Sequence, residues 1–125
     1  MLVDDFVMRQ VQKIAEMLAA IAGSPHARPP EGVLDQIRQA YRDLLGMDVD
    51  LADLLGADAL VAGLRSERER DALVDLTLAH AEVCARRDDA AGARARLTRA
   101  LALMREDDPR VAGALARLDD IAASR

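Results

Sequence analysis

Residues 66–105 read SERERDALVDLTLAHAEVCARRDDAAGARARLTRALALMR, and this stretch decides the fold class. It opens with a capping box, Ser66 followed three residues later by Glu69, which predicts the start of a helix. Apolar residues then recur three and four positions apart, the spacing of one helix face. Asp88 and Asp89 interrupt this pattern, and a second periodic run follows them. The stretch therefore predicts a hairpin of two helices.

The first helix of this hairpin is predicted to end at about Arg87, and the second to cover residues 90–105. The larger side chains predicted to point inward are Leu73, Leu76, His80, Val83, Cys84, Leu97, Leu101 and Met104. Composition agrees with helix, because Ala and Leu dominate and Phe6 and Tyr41 are the only aromatic residues. No segment alternates with a period of two, so the chain is predicted to be all-α.

Outside the hairpin, the same signals predict further helices at residues 4–21, 31–45, 50–55 and 58–64 and from Pro109 onward. Asp4 or Asp5 is expected to cap the first of them, and Gly46 to end the second. The last helix has an apolar stripe of Val111, Leu115, Leu118 and Ala122. Residues 23–30 contain three prolines and form a predicted linker. We expect a small array of six to seven helices in a single domain over residues 1–125, with a helical body at 31–125.

Residues 81–103 resemble one tetratricopeptide repeat. The matching positions are Ala81 in the first helix, the Asp88-Asp89 turn, and Ala93, Leu97, Ala100 and Leu101 in the second helix. His80 and Cys84 depart from the pattern, since Leu and Tyr are usual at their positions. The resemblance implies a closely packed, tetratricopeptide-like hairpin. Because repeat arrays normally need about three repeats to be stable, the rest of the chain is expected to cover its faces.

A second resemblance begins at the opening Asp5-Phe6-Val7-Met8-Arg9-Gln10-Val11. This segment is similar to the start of a family of uncharacterised bacterial all-helical proteins, which open with Asp-(Tyr/Phe)-(Ile/Val)-Met-Arg-Gln-(Ile/Val). In that family a Leu-Leu-Gly segment, here Leu44-Leu45-Gly46, precedes a tetratricopeptide-like helix pair. The resemblance implies the helical fold and brings no activity, cofactor or site residue with it.

Charge and cysteine content limit the partners and the cellular compartment that we expect for this protein. The net charge of −5 argues against a nucleic-acid partner, which requires a basic footprint. The first five residues include two acids, Asp4 and Asp5, and no base where a signal peptide is basic, and the apolar runs are too short to span a membrane. Cys84 is the only cysteine, which suits a reducing compartment. We expect a cytoplasmic protein without nucleic-acid or membrane partners, and we interpret the arginines at 86–105 as a solvated surface.

His80 and Cys84 form the one pair of residues that suggests chemistry, because they lie four residues apart on a helix face. This spacing could offer two metal ligands, or a thiol beside a base. A metal site needs further ligands, and a catalytic dyad needs an orienting acid and an oxyanion site. None is evident, so we predict no catalytic, cofactor-binding or metal-binding residue. The alternative is a small-molecule or metal pocket near His80 and Cys84.

The N-terminal helix carries the predicted functional surface. Its seam consists of Phe6, Val7, Val11, Ile14, Leu18 and Ile21. One hypothesis is that the helix folds back and covers its own body. The other is that the seam is an interface for a protein partner or a second copy, as its spacing permits. The sequence therefore predicts a non-enzymatic module for protein–protein interaction or self-association.

Overall fold

A computed structural model describes residues 2–123, with side chains from Asp5 onward, and this part of the chain holds seven helices and no strand. They are α1 (Leu2–Ala19), α2 (Val33–Leu45), α3 (Val49–Ala52), α4 (Ala57–Ala62), α5 (Glu67–Arg86), α6 (Ala90–Leu103) and α7 (Val111–Ala123). The predicted all-α array of six to seven helices is confirmed. Residues 1, 124 and 125 of the predicted domain lie outside the described residues.

The start of each hairpin helix follows the predicted capping chemistry. Ser66 Oγ accepts the Glu69 N–H at 3.1 Å, and Asp89 Oδ1 accepts the Gly92 N–H at 2.9 Å. The Glu69 carboxylate reaches back to the N–H of Arg65 at 2.8 Å, one residue earlier than in the usual capping box. Such a cap contributes about 1 kcal/mol to helix stability. These local hydrogen bonds fix where α5 and α6 begin.

Two other helix ends differ from the prediction. α1 begins at Leu2, so Asp5 lies inside the helix and pairs with Arg68 at 3.3 Å instead of capping. The side chain of Asp4 lies outside the described residues. α7 begins at Val111, because Asp108 Oδ1 accepts the Arg110 N–H at 2.8 Å and holds a turn just before the helix. By contrast, Gly46 ends α2 in the left-handed conformation as predicted, with φ 73.

α5 is the central helix of the array. It packs most extensively on α6 and also against α1 and α2, while α6 packs in turn against α7 and α4. Because helices lie on more than one side of α5, buried side chains surround it instead of forming a single stripe. The largest of the fully buried residues are Ile14, Ile37, Leu73, Leu76 and Leu103. These five come from α1, α2, α5 and α6, and buried side chains of the other three helices belong to the same core.

α1 folds back onto the body of the protein. Val7, Val11, Ile14 and Leu18 are buried where α1 packs on α2 and α5. The linker is fixed as well, since the buried Arg86 guanidinium donates to the carbonyls of Ser24 at 2.9 Å and Ala27 at 3.0 Å. The four seam residues are therefore core positions in this fold. Of the remaining two, Ile21 is half-buried and Phe6 is exposed.

α7 buries a different row of residues from the stripe that the sequence suggested. Ala114 and Ile121 are buried, with Val111 and Leu118 half-buried beside them. Leu115 is 49% exposed and Ala122 is exposed. Two apolar rows overlap on this alanine-rich helix, and its packing against α6 selects one of them. The other row faces outward.

The α5–α6 hairpin packs closely at its alanines. Ala81, Ala93 and Ala100 are all buried, as the resemblance to a tetratricopeptide repeat led us to expect, although the repeat assignment itself stays a prediction. We expect Ala93→Leu to lower the free energy of unfolding by about 2 kcal/mol, because no space exists for the larger side chain. Chemical denaturation measures this. The control is Ala95→Leu on the exposed face of α6, which should change stability by less than about 0.5 kcal/mol. Equal losses in both variants would contradict close packing at Ala93.

Candidate functional site: the cleft around His80

A cleft of about 320 Å³ opens between α2, α5 and the start of α6. His80 and Cys84, the pair that the sequence singled out, lie side by side on its α5 wall and are both buried. The residues lining the cleft are Leu34, Arg38, His80, Val83, Cys84, Arg87, Asp89 and Arg96. We call this concavity the His80 cleft.

Hydrogen bonding fixes the protonation pattern of His80. Arg96 Nε donates to His80 Nδ1 at 2.9 Å. Because a guanidinium can only donate, Nδ1 is an acceptor and the ring proton of neutral His80 lies on Nε2. The Tyr41 hydroxyl lies 3.3 Å from the same Nδ1, and the two rings meet edge to face with centroids 5.7 Å apart. The imidazole is thus held in one tautomer from one side.

Three titratable side chains in and below the cleft, those of His80, Cys84 and Tyr41, are uncharged at neutral pH. Burial lowers the pKa of His80 to about 3, and the positive charges of Arg96 and Arg38 lower it further. Burial also raises the pKa of the Cys84 thiol and raises the pKa of Tyr41 to about 12. A reactive thiolate needs a lowered pKa and a base that accepts its proton. These shifts oppose a thiolate–imidazolium pair at His80 and Cys84.

Arg96 and Arg99 attach α6 to the segment around α3. Arg96 donates to Asp53 Oδ2 at 2.8 Å, beyond its bond to His80. Arg99 donates to the carbonyls of Ala52 and Leu55, each at 3.0 Å. The interpretation of these arginines as solvated surface was wrong, because both side chains are mostly buried and satisfy backbone or carboxylate acceptors. Arg96 is therefore a fixed part of the cleft wall.

Arg38 and Arg87 complete the wall and differ from Arg96 in one respect. Within residues 5–123, neither guanidinium has a hydrogen-bond or ion-pair partner. The one acid lining the cleft is Asp89, whose carboxylate already accepts the N–H of Gly92. The His80 cleft consequently has three guanidiniums and a single carboxylate. Its electrostatics favour an anion.

The same charges disfavour a metal ion. Among the residues that the structure describes, no three side chains of His, Cys, Asp or Glu are grouped so that they could hold one. Three nearby guanidiniums would also repel a cation in this partly buried setting. His80 and Cys84 are brought together as the sequence suggested, but the groups that join them are arginines instead of further metal ligands.

Sequence reasoning missed Arg38 as a residue of this site. It lies on α2, whereas His80 lies on α5, and only the packing of the two helices brings them to one cleft. Its sequence neighbourhood gives no signal, since a surface arginine is ordinary on an amphipathic helix. The sequence shows Arg87 only as one of the arginines at 86–105.

A larger groove of about 720 Å³ runs between α1, α5 and α7. Three of its charged side chains pair with one another: Glu82 accepts from Arg86 at 2.7 Å and from Arg117 at 3.0 Å. Asp75 in the same groove pairs with Arg110 at 2.7 Å. This groove is larger than the His80 cleft. Unlike the guanidiniums of Arg38 and Arg87, however, the charges of Glu82 and Asp75 are already paired within the protein.

Two further findings bear on function. No helix within residues 2–123 is both long enough and apolar enough to cross a membrane. Comparison of the chain with protein-family models, with curated proteins and with solved structures finds no match.

Proposed function

We propose that the protein is a non-enzymatic helical interaction module that associates with a second copy of itself through the outer face of α7. The observation that carries this proposal is the apolar character of that face. The exposed residues of α7 are Ala112, Gly113, Leu115, Ala116, Asp119, Asp120, Ala122 and Ala123. Only Asp119 and Asp120 among them are charged.

This composition is unusual for a helix at the edge of an array. Edge helices normally present a polar outer face, which keeps a helical array soluble. α1, the helix at another edge, follows that rule with exposed Arg9, Lys13 and Glu16. α7 packs mainly on α6 and leaves its second apolar row, centred on Leu115, in contact with solvent. A further helix covering that row would remove apolar surface from water.

A second copy of the chain suits this surface because the face is self-complementary. In a two-fold dimer whose axis crosses α7 between Leu115 and Ala116, the two helices run antiparallel and Leu115 of each copy lies beside Ala116 of the other. Ala112 then lies opposite Asp119, which approaches the positive end of the partner helix dipole. The small alanines allow the helices to approach closely, as in other tightly packed helix pairs.

The other large exposed apolar side chains are weaker candidates. Leu51 and Leu54 lie on α3 and the turn after it, among Asp50, Asp53 and Asp58. Phe6 stands apart from them on α1. A single exposed apolar residue such as Phe6 is common on protein surfaces and needs no partner. We include in the proposal a cytoplasmic location without nucleic-acid or membrane partners, supported by the net charge of −5 and the single cysteine.

Light scattering after gel filtration tests self-association over a range of protein concentrations. We expect a dimer whose dissociation constant rises about thirtyfold or more with Leu115→Glu, since the change places a charge at the centre of the interface. Leu54→Glu is the matched control, because it adds the same charge away from α7 at a leucine that is 81% exposed. A monomer at every concentration would refute self-association. Equal weakening by both substitutions would refute the assignment to α7.

A further inference from the structure

We infer that the His80 cleft binds a small organic anion, whose phosphate or carboxylate group lies between the guanidiniums of Arg38 and Arg87 and is met by the Nε2–H of His80. This binding site is separate from the proposed dimer surface, since no residue of α7 lines the cleft. Anion binding at the His80 cleft and self-association through α7 can therefore be tested independently of each other.

The first support is the imbalance of charge within a concave site. Eight arginines of the described chain form ion pairs, and they are Arg42, Arg68, Arg86, Arg96, Arg99, Arg105, Arg110 and Arg117. Arg38 and Arg87 line one cleft and lack such a partner within residues 5–123. Arg38 is also half-buried, so part of its hydration is lost without an acceptor to replace it. An anionic oxygen between the two guanidiniums would supply that acceptor.

The second support is the orientation of His80. Because Nδ1 is occupied by Arg96, the remaining ring proton lies on Nε2, the opposite side of the imidazole. The ring lines the cleft, and its neutral form remains a hydrogen-bond donor at neutral pH. Asp53 holds Arg96 in place at 2.8 Å, so the donor on His80 is oriented before a ligand arrives. Such preorganisation lowers the entropy cost of binding.

The third support is the size and continuation of the cleft. Its volume of about 320 Å³ is at the small end of ligand pockets, which span roughly 300–1,000 Å³. A second concavity of about 200 Å³ adjoins it, sharing Leu34, Val83 and Arg87 and adding one charge of each sign, Arg28 and Glu31. A small organic molecule would lie over Leu34 and Val83 with its anionic group between the arginines. An inorganic ion alone would leave most of this space unfilled.

Inorganic phosphate and succinate are the two probes that test the inference on the full chain. Each is titrated by calorimetry at constant ionic strength, with sodium chloride as the reference, and by NMR of the arginine Nε–H and histidine ring groups. We expect saturable binding at one site below about 10 mM, with the largest shifts at Arg38, Arg87 and His80. Saturation by phosphate alone supports a phosphate-bearing ligand. Saturation by succinate alone supports a carboxylate.

Substitutions then separate a built site from general attraction. Arg38→Gln and Arg87→Gln should each weaken binding of the effective probe at least about tenfold, because each removes a charge-assisted hydrogen bond. Arg9→Gln removes the same charge from an exposed arginine of α1 that does not line the cleft, and it should change binding less than about twofold. Circular dichroism confirms that each variant is folded. Absence of saturation with both probes would refute the inference, and so would equal weakening by Arg9→Gln.

Discussion

Replacing Ile14 by Ala should lower the free energy of unfolding by about 3 kcal/mol, because the substitution leaves a cavity where α1 packs on α2 and α5. The Ile14 side chain is 1% exposed and belongs to the apolar core of its own chain. Urea denaturation monitored by circular dichroism measures the loss. The difference in midpoint between the substituted and the unsubstituted chain should be the same at low and high protein concentration.

Phe6→Ala is the matched control on the same helix. Phe6 is 56% exposed, so its truncation should change stability by no more than about 0.5 kcal/mol. The comparison separates the two hypotheses for the seam of α1. If the seam were a partner interface, Ile14→Ala would alter association and leave the stability of the isolated monomer nearly unchanged. That outcome would contradict the fold-back of α1.

Acid should destabilise the protein through His80 by about 3 kcal/mol between neutral pH and about pH 4.5. In the folded chain the buried His80 ring stays neutral, because its pKa is about 3. In the unfolded chain the ring becomes protonated as the pH falls below its ordinary pKa of 6.5. The stabilising contribution is therefore complete above pH 6.5 and shrinks as the pH falls towards 3. Urea denaturation at the two pH values measures the change.

His80→Asn isolates this contribution from the carboxylates that also titrate in acid. Asn keeps an acceptor oxygen close to the position of Nδ1, where Arg96 donates, but it cannot be protonated. The variant should start less stable and lose about 3 kcal/mol less than the unsubstituted protein over the same pH interval. NMR of the His80 ring gives a second measurement, because the ring should stay neutral down to about pH 4. Identical acid sensitivity in both proteins would contradict the buried neutral state of His80.

The two proposed functional surfaces make different demands on the fold. The dimer surface needs only the orientation of α7 on α6, which leaves Leu115 exposed. The His80 cleft needs α2, α5 and α6 together, with Arg96 held by Asp53. Loss of α7 contacts and loss of anion binding should therefore be separable by substitution. Leu115→Glu is expected to leave anion binding intact, and Arg38→Gln to leave association intact.

The local features of the fold could be predicted from the sequence. Ser66 and Asp89 act on N–H groups three residues away, and Gly46 supplies the left-handed conformation that ends α2. Apolar spacing along each helix reveals that one face will be buried. All these signals involve residues within about one helical turn of one another, so they do not depend on contacts with distant parts of the chain.

The choice of what covers each face depended on tertiary structure. By its spacing, the apolar seam of α1 could pack on a partner or on its own chain. The hydrogen bonds from Arg86 to the linker carbonyls hold α1 against its own chain. α7 offers two apolar rows, and α6 covers only one.

By itself, the sequence determined that the chain is helical, where its helices begin and end to within a few residues, and that His80 and Cys84 share a face. Tertiary packing alone decided that α1 belongs to the core, that Leu115 faces outward, and that Arg38 joins His80 and Arg87 in one cleft. The physical reason is the range of the interactions. Capping and periodicity act along the chain, whereas burial and charge at a cleft arise between helices that the sequence keeps far apart.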